Sequence, residues 1–291
     1  HQLRVTLISG EPGIGKTTLV AQAARAAHEM GTGVVYGGCE EGLAVPYQPW
    51  ISALTQLVEH ADEHALREFV DGRGAATARL IPELARRLSI AVPDAGNDAD
   101  AERFAIFEGV AHLLASLSAE APVMLVLDDL HWVDAASLQL LRHLVTAAVP
   151  MAVHVVGTYR ESDLSRDHPL VGLLAHLRRE PAVDRLDLVG LDDVEIIELL
   201  GAAAGHALAD DGIALGHALR RETAGNPFFL VEVIRHLAET GAFAQDEDGR
   251  WGLSAELDAV GLPSSVREVV ANRVARLGED TERALSLAAV I

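Results

Sequence analysis

The sequence predicts an α/β fold: an open parallel sheet covered by helices on both faces, followed by a helical unit. Three observations predict it. A strand, a glycine-rich loop, a helix and a second strand fill the first 36 residues. Apolar strand-like runs then alternate with helical patterns as far as Val189. After Gly190 the strand runs give way to amphipathic helical stretches with short links.

Each element follows from its residues. Arg4 to Ser9 is β-branched and apolar, short enough for a buried parallel strand, and bounded by Gly10. Thr17 to Met30 is alanine-rich with helical spacing and is closed by Gly31. Gly33 to Tyr36 reads as the second strand of a βαβ unit. Pro49 to Leu88 reads as helical, broken by Gly72, Gly74 and Pro82, and Val92 to Asp98 as an acidic loop. In Ala99 to Ser118, residues Phe104, Phe107, Val110, Leu114 and Leu117 fall on one helical face. Val123–Leu127, Ala152–Gly157 and Val183–Val189 read as strands. Ser137 to Thr146 reads as a helix burying Leu138, Leu141, Leu144 and Val145. Asp192–Ala203, Asp211–Glu222 and Pro227–Thr240 are the later helices. The last has Asn226 as N-cap, Pro227 in its first turn and Gly241 past its end. Gln245 to Arg250 reads as a polar turn, Trp251–Leu253 as a short strand, and Pro263–Leu277 and Thr281–Ile291 as helices. The chain stops at Ile291 within an apolar helix, so it is expected to be a piece of a longer protein.

Composition narrows the function classes. The 291 residues are 49% hydrophobic and 23% charged, ordinary for a globular protein with a sizeable core. The apolar runs are too short to span a bilayer, and no signal-peptide core follows His1. The formal net charge of −20 repels nucleic acid phosphates, so no direct DNA binding by this segment is expected. Cys39 is the one cysteine, a plain thiol with no metal-ligand spacing around it, which fits a cytoplasmic location. No Gly-x-Ser-x-Gly elbow suggests a serine hydrolase. Basic residues number 23, and Lys16 is the sole lysine among them.

That lysine lies in the run Gly10-Glu-Pro-Gly-Ile-Gly-Lys-Thr17, which fits a phosphate-binding loop between strand and helix. Gly10, Gly13 and Gly15 let backbone N–H groups curl toward phosphate oxygens, and the helix start adds its positive end. Lys16 supplies a mobile charge for β and γ phosphates, and the Thr17 hydroxyl can ligate Mg²⁺, with Thr18 beside it in the same turn. The strand Met124 to Leu127 delivers Asp128 and Asp129 to the ligand crevice of a parallel sheet. Asp128 would hold Mg²⁺ through water. Asp129 would orient or deprotonate an attacking water, although a helix N-cap would look the same. Val155 to Arg160 is a strand ending in a cation that could touch a γ phosphate, or simply face solvent. Thr158 could reach the same phosphate by hydrogen bonding. Pro227 is a helix-start residue that could equally present an apolar edge to an adenine.

Four strings together resemble a known family. They are Gly10–Thr17, Leu125-Val-Leu-Asp-Asp-Leu-His-Trp-Val-Asp134, Gly157-Thr-Tyr-Arg-Glu-Ser-Asp163 and Gly225-Asn-Pro-Phe-Phe-Leu-Val-Glu232. They resemble the ATPase module of large ATP-binding LuxR-type transcriptional regulators, within the STAND class of P-loop NTPases. Val133 stands where alanine is usual. The resemblance implies a P-loop NTPase core over 1–189, a helical lid over 190–243 and a partial winged-helix domain over 244–291. It implies ATP or ADP with Mg²⁺ as ligands. Asp129 is then the catalytic acid, with Thr17 and Asp128 at the metal. Arg160 becomes the γ-phosphate sensor, and Pro227 packs on the adenine. Tyr47-Gln-Pro49 is also family-like, without an assigned role. The implied partners are sensor and output domains in the parent chain, with nucleotide-dependent self-association. The function implied is a slowly hydrolysing signalling switch of a bacterial regulator. An oligomeric AAA-type remodeller, a non-hydrolysing ATP-binding scaffold and a small-molecule kinase are the alternatives.

Overall fold

The computed structural model describes residues 3–42, 45–92, 98–147, 149–239, 241–245 and 251–253, the side chains of 71–75, 243–245 and 251–253 apart. The described residues form two compact units. One runs to Leu188; the other starts at Val189, with the loop residues Gly13–Gly15 grouped with it.

The first unit is built on β1 (Arg4–Ser9), β2 (Gly33–Gly38), β3 (Val123–Asp128), β4 (Val153–Tyr159) and β5 (Val183–Asp187). They form one all-parallel sheet in the order β2-β3-β4-β1-β5. Residues alternate between its faces, as a pleated strand requires. Val5, Leu7, Val35, Leu125, Leu127, Val153 and Val155 join the larger core cluster. Ile8, Met124, Val126 and Val156 join a smaller one with Val20 of the helix α1 (Lys16–Glu29). The larger core is completed by α2 (Gln48–His60), α3 (Glu63–Leu80), α4 (Pro82–Leu88), α5 (Ala99–Leu117), α6 (Ala135–Thr146) and α7 (Pro169–Leu177). Both sheet faces are therefore covered, as the sequence predicts, while the edge strand β5 keeps its Asp184, Arg185 and Asp187 exposed.

Three local expectations need correction. Gly72 and Gly74 do not break the helix: α3 runs through both, and the breaks lie at Ala61 and Asp62 and, as expected, before Pro82. An interior glycine costs only about 1 kcal/mol, whereas Asp62 supplies a real cap by accepting from His64 N at 2.8 Å. Phe104 is not on the buried stripe of α5; it is 61% exposed, with its ring edge-on to His143 at 5.9 Å. The α7 helix, for which the sequence reading has no element, starts on Pro169 with the His168 ring accepting from Leu170 N.

The second unit holds α8 (Asp193–Ala204), α9 (Asp210–Thr223) and α10 (Pro227–Glu239), with a short antiparallel pair, β6 (Phe243–Gln245) and β7 (Trp251–Leu253). Strands thus return after Gly190, one of them at the expected Trp251. Ile196, Leu200, Leu215, Leu219, Leu230, Val233 and Leu237 make its core, spaced by three and four residues along each helix. Asp192 and Glu195 form a reciprocal capping box at the start of α8. Gly225 has φ +73, and a Cβ there would lie 2.1 Å from Leu191 O; the same backbones are joined by Leu191 N donating to Gly225 O at 2.8 Å. Only glycine meets both demands. The helices expected over Pro263–Leu277 and Thr281–Ile291, and the winged-helix start, lie outside the described residues.

Candidate functional site

The strand order sets the site. β4 lies between β1 and β3, so the carboxyl ends of all three meet at one edge. β1 delivers the glycine loop, β3 delivers Asp128 and Asp129, and β4 delivers Thr158 and Arg160.

The loop turns on backbone that only glycine adopts freely: φ is +154 at Gly10, +78 at Gly13 and +103 at Gly15. Lys16, the first residue of α1, is 7% exposed. Its ammonium donates to Gly10 O at 2.6 Å and Glu11 O at 3.2 Å. Burial pushes the Lys16 pKa below its ordinary value, and Arg160 pushes the same way; Asp129, Asp128 and Glu11 oppose them. These charged groups therefore share one field. Thr17 and Thr18 lie exposed in the same first turn.

Asp128 ends β3 and is 6% exposed. Each carboxylate oxygen accepts a hydroxyl hydrogen: Tyr36 donates to Oδ2 at 3.0 Å and Thr158 donates to Oδ1. Burial, then the charge of Asp128 and the bond to it, push the Tyr36 phenol up to about 12, so it stays a donor. The fully buried Thr158 hydroxyl also accepts from Asp129 N at 3.0 Å. It is spent on the acids, not aimed at a phosphate. Sequence reasoning leaves Tyr36 and this clamp unassigned, because both depend on which strands are neighbours.

Asp129 has left-handed backbone, φ 59, and precedes a single 3-10 turn, Leu130–Trp132. Its side chain makes no cap bond there. The helix-capping role belongs to Asp134, which accepts from Ser137 N at 2.9 Å at the start of α6. Asp134 also accepts from Tyr47 N at 3.2 Å, which gives the Tyr47-Gln-Pro49 string a structural task. Arg160 is held by two neighbours. Its guanidinium lies 5.3 Å from the Trp132 ring centroid and 3.4 Å from Asp163 Oδ2.

Within the second unit, Pro227 opens α10 and the Asn226 carboxamide accepts from Phe228 N at 3.1 Å. The helix-start reading of both residues is thereby met. Among the described residues no group of three His, Cys, Asp or Glu could hold a metal ion. Mg²⁺ typically takes one or two protein oxygens and completes its shell with water and substrate phosphate. The oxygens on offer are the Asp128 carboxylate, which keeps lone pairs beyond its two hydrogen bonds, and the Thr17 hydroxyl.

No helix among the described residues is long and apolar enough to cross a membrane. No curated protein matches the chain. Solved structures are similar to it, two of them as follows. One is a Signal Transduction ATPase with Numerous Domains (STAND) protein with a tetratricopeptide repeat sensor from Pyrococcus horikoshii. It is 19% identical with a TM-score of 0.45 over 80% of this chain and 27% of that one. The other is a Walker-type ATPase of Pyrococcus abyssi, 15% identical with a TM-score of 0.44 over 79% of this chain and 63% of that one. The chain thus spans under two thirds of either. The model of the AAA ATPase domain matches residues 1–156, the stretch that carries the glycine loop, both aspartates and most of the sheet. The chain belongs to the AAA ATPase domain family.

Proposed function

We propose that this chain is an ATP-binding, slowly hydrolysing switch module of a STAND-type signalling protein. The observation that carries the reading is the convergence of Lys16, Asp128, Asp129 and Arg160 in one electrostatic field at the ends of three adjacent strands. Loop N–H groups and the start of α1 suit a phosphate. Its oxygens would compete with Gly10 O and Glu11 O for the Lys16 ammonium. Asp128 and Thr17 would hold Mg²⁺, which when bound neutralises phosphate charge. Asp129, free of any capping duty, would orient or deprotonate the attacking water. Arg160 would exchange Asp163 for the γ phosphate and so tell ATP from ADP.

In this reading Pro227 contacts the adenine and α8–α10 act as the lid. Sensor and output domains elsewhere in the parent protein read the nucleotide state, with self-association in the ATP form. A role in bacterial transcription control and a cytoplasmic location belong to the same proposal, which the sequence strings support.

Nucleotide titration of the 291-residue chain tests it. Lys16→Ala should weaken ATP binding by about 2–5 kcal/mol, the range for removing one member of a desolvated charge pair. Arg160→Ala should weaken ATP and leave ADP nearly unchanged. Equal ATP affinity in wild type and the Lys16 variant would remove the phosphate role of the loop.

A further inference from the structure

His131 lies between the two halves of this site and belongs to neither. Its side chain is 0% exposed, yet neither ring nitrogen has a hydrogen-bond partner. Nδ1 faces Asp129 Oδ1 at 3.8 Å and Nε2 faces Asp163 Oδ2 at 3.6 Å, each just beyond bonding distance. The ring is fixed from behind: it packs on Trp132 at 4.5 Å, and its backbone carbonyl accepts from the His168 ring at 2.9 Å. A buried, unsatisfied polar group is rare and costly. Here a carboxylate waits at each nitrogen, and Asp163 is also the partner of Arg160.

We propose that His131 is a positioning residue that couples Asp129 to the Arg160–Asp163 pair, by lending one N–H to whichever carboxylate lacks another partner. The inference rests on the roles proposed above for Asp129 and Arg160.

A neutral imidazole has one N–H and one acceptor nitrogen, so it can donate to only one of the two acids. Burial, the largest effect, holds the ring below its ordinary pKa, with Arg160 and Lys16 acting alongside and Asp129 and Asp163 against. With Arg160 on Asp163, as here, that acid is served, and a small shift of the ring or the carboxylate would bring the N–H onto Asp129, 3.8 Å from Nδ1. A donated bond steadies the charged carboxylate and makes it a weaker base. When a γ phosphate draws Arg160 away, Asp163 loses its cation and takes the N–H instead. The proton then resides on Nε2, and Nδ1 presents a lone pair to Asp129. The two arrangements differ by one proton position, with no net charge moved. Water at the partly exposed carboxylates can carry that exchange; Asp129 is 30% exposed and Asp163 38%. Phosphate contact at Arg160 would thus free the water-activating acid.

A double-mutant cycle on steady-state phosphate release tests the coupling. Wild type is measured first. Failure to bind ATP or release phosphate would overturn the underlying reading and this inference with it. Asp163→Asn should lower kcat at least about threefold while KM for ATP stays within about twofold. In a His131→Leu background, where no N–H holds Asp129 back and kcat should be at least that of wild type, the same change should alter kcat by less than about 1.5-fold. His131→Asn places an amide near the Nδ1 position. It should hold kcat below that of the leucine variant and remain insensitive to Asp163→Asn, and it carries the cycle if the leucine variant does not fold. With an active wild type, an equal Asp163→Asn effect in all backgrounds would overturn the inference alone. So would a kcat in His131→Leu more than about threefold below wild type.

Discussion

Asp128 and Asp129 are adjacent in sequence and opposite in situation. One is buried, with hydroxyls from Tyr36 and Thr158 on its oxygens; the other is partly open, with its backbone N–H tied to Thr158. Substituting each should therefore fail differently. Asp128→Ala strips two donors of their acceptor, so it should lower stability by about 1–3 kcal/mol and weaken Mg²⁺-dependent nucleotide binding. Asp129→Asn keeps the shape and should leave affinity intact while phosphate release falls. Thermal melts and single-turnover assays on the pair separate the two, and identical behaviour would refute the division. Cys39 offers a second residue-scale test. Burial, with Asp129, Asp134 and Asp128 nearby, pushes its thiol from 9.0 up to about 12. The folded state thus favours the neutral thiol. Its contribution to stability is full below pH 9 and fades as pH climbs toward 12. At pH 8 a thiol reagent should label native protein slowly and denatured protein fast; rapid native labelling would contradict the burial.

At the scale of elements, the capping box of α8 and the glycine at 225 make distinct predictions. Asp192→Ala removes the acceptor for Glu195 N and should cost about 1 kcal/mol. Gly225→Ala adds a Cβ 2.1 Å from a backbone oxygen in a left-handed conformation, and should cost more than the cap. Denaturant unfolding of the two variants ranks them, and the reverse order would be wrong for both arguments. The same elements show what a sequence makes legible. The strands, the glycine loop and the cap at Asn226 are local patterns, and they lie within a few residues of expectation. Asp128 and Asp129 were legible because an apolar run ends on them. The Thr158 clamp and Tyr36 were not, since nothing local says that β3 lies between β2 and β4. Phe104 had the right helical phase for burial, but phase cannot say how far a neighbouring helix reaches. Gly72 and Gly74 misled because a glycine's helix penalty is small beside the packing of a long helix.

For the whole molecule, the prediction is a slow cycle. A switch can carry intact catalytic groups and still turn over slowly, so steady-state hydrolysis is expected below about 1 s⁻¹, the floor of typical enzymes. Pro227→Gly should speed release of a fluorescent ADP analogue, through the loss of a helix start and an apolar contact. Fast hydrolysis rising with protein concentration would favour an oligomeric remodeller instead. An unchanged release rate would remove α10 from the exchange step.

The sole lysine has a further consequence, in the terms of proteolysis. A protease specific for lysine finds one peptide bond to cut in this sequence, between Lys16 and Thr17. That bond lies in the first turn of α1, with the side chain the protease must grip turned back onto Gly10 and Glu11. Cleavage needs the turn to open and the ammonium to let go. The rate of a single cut therefore counts openings of the loop–helix junction, at one address and with no label. A molecule that settles in the loop should silence it.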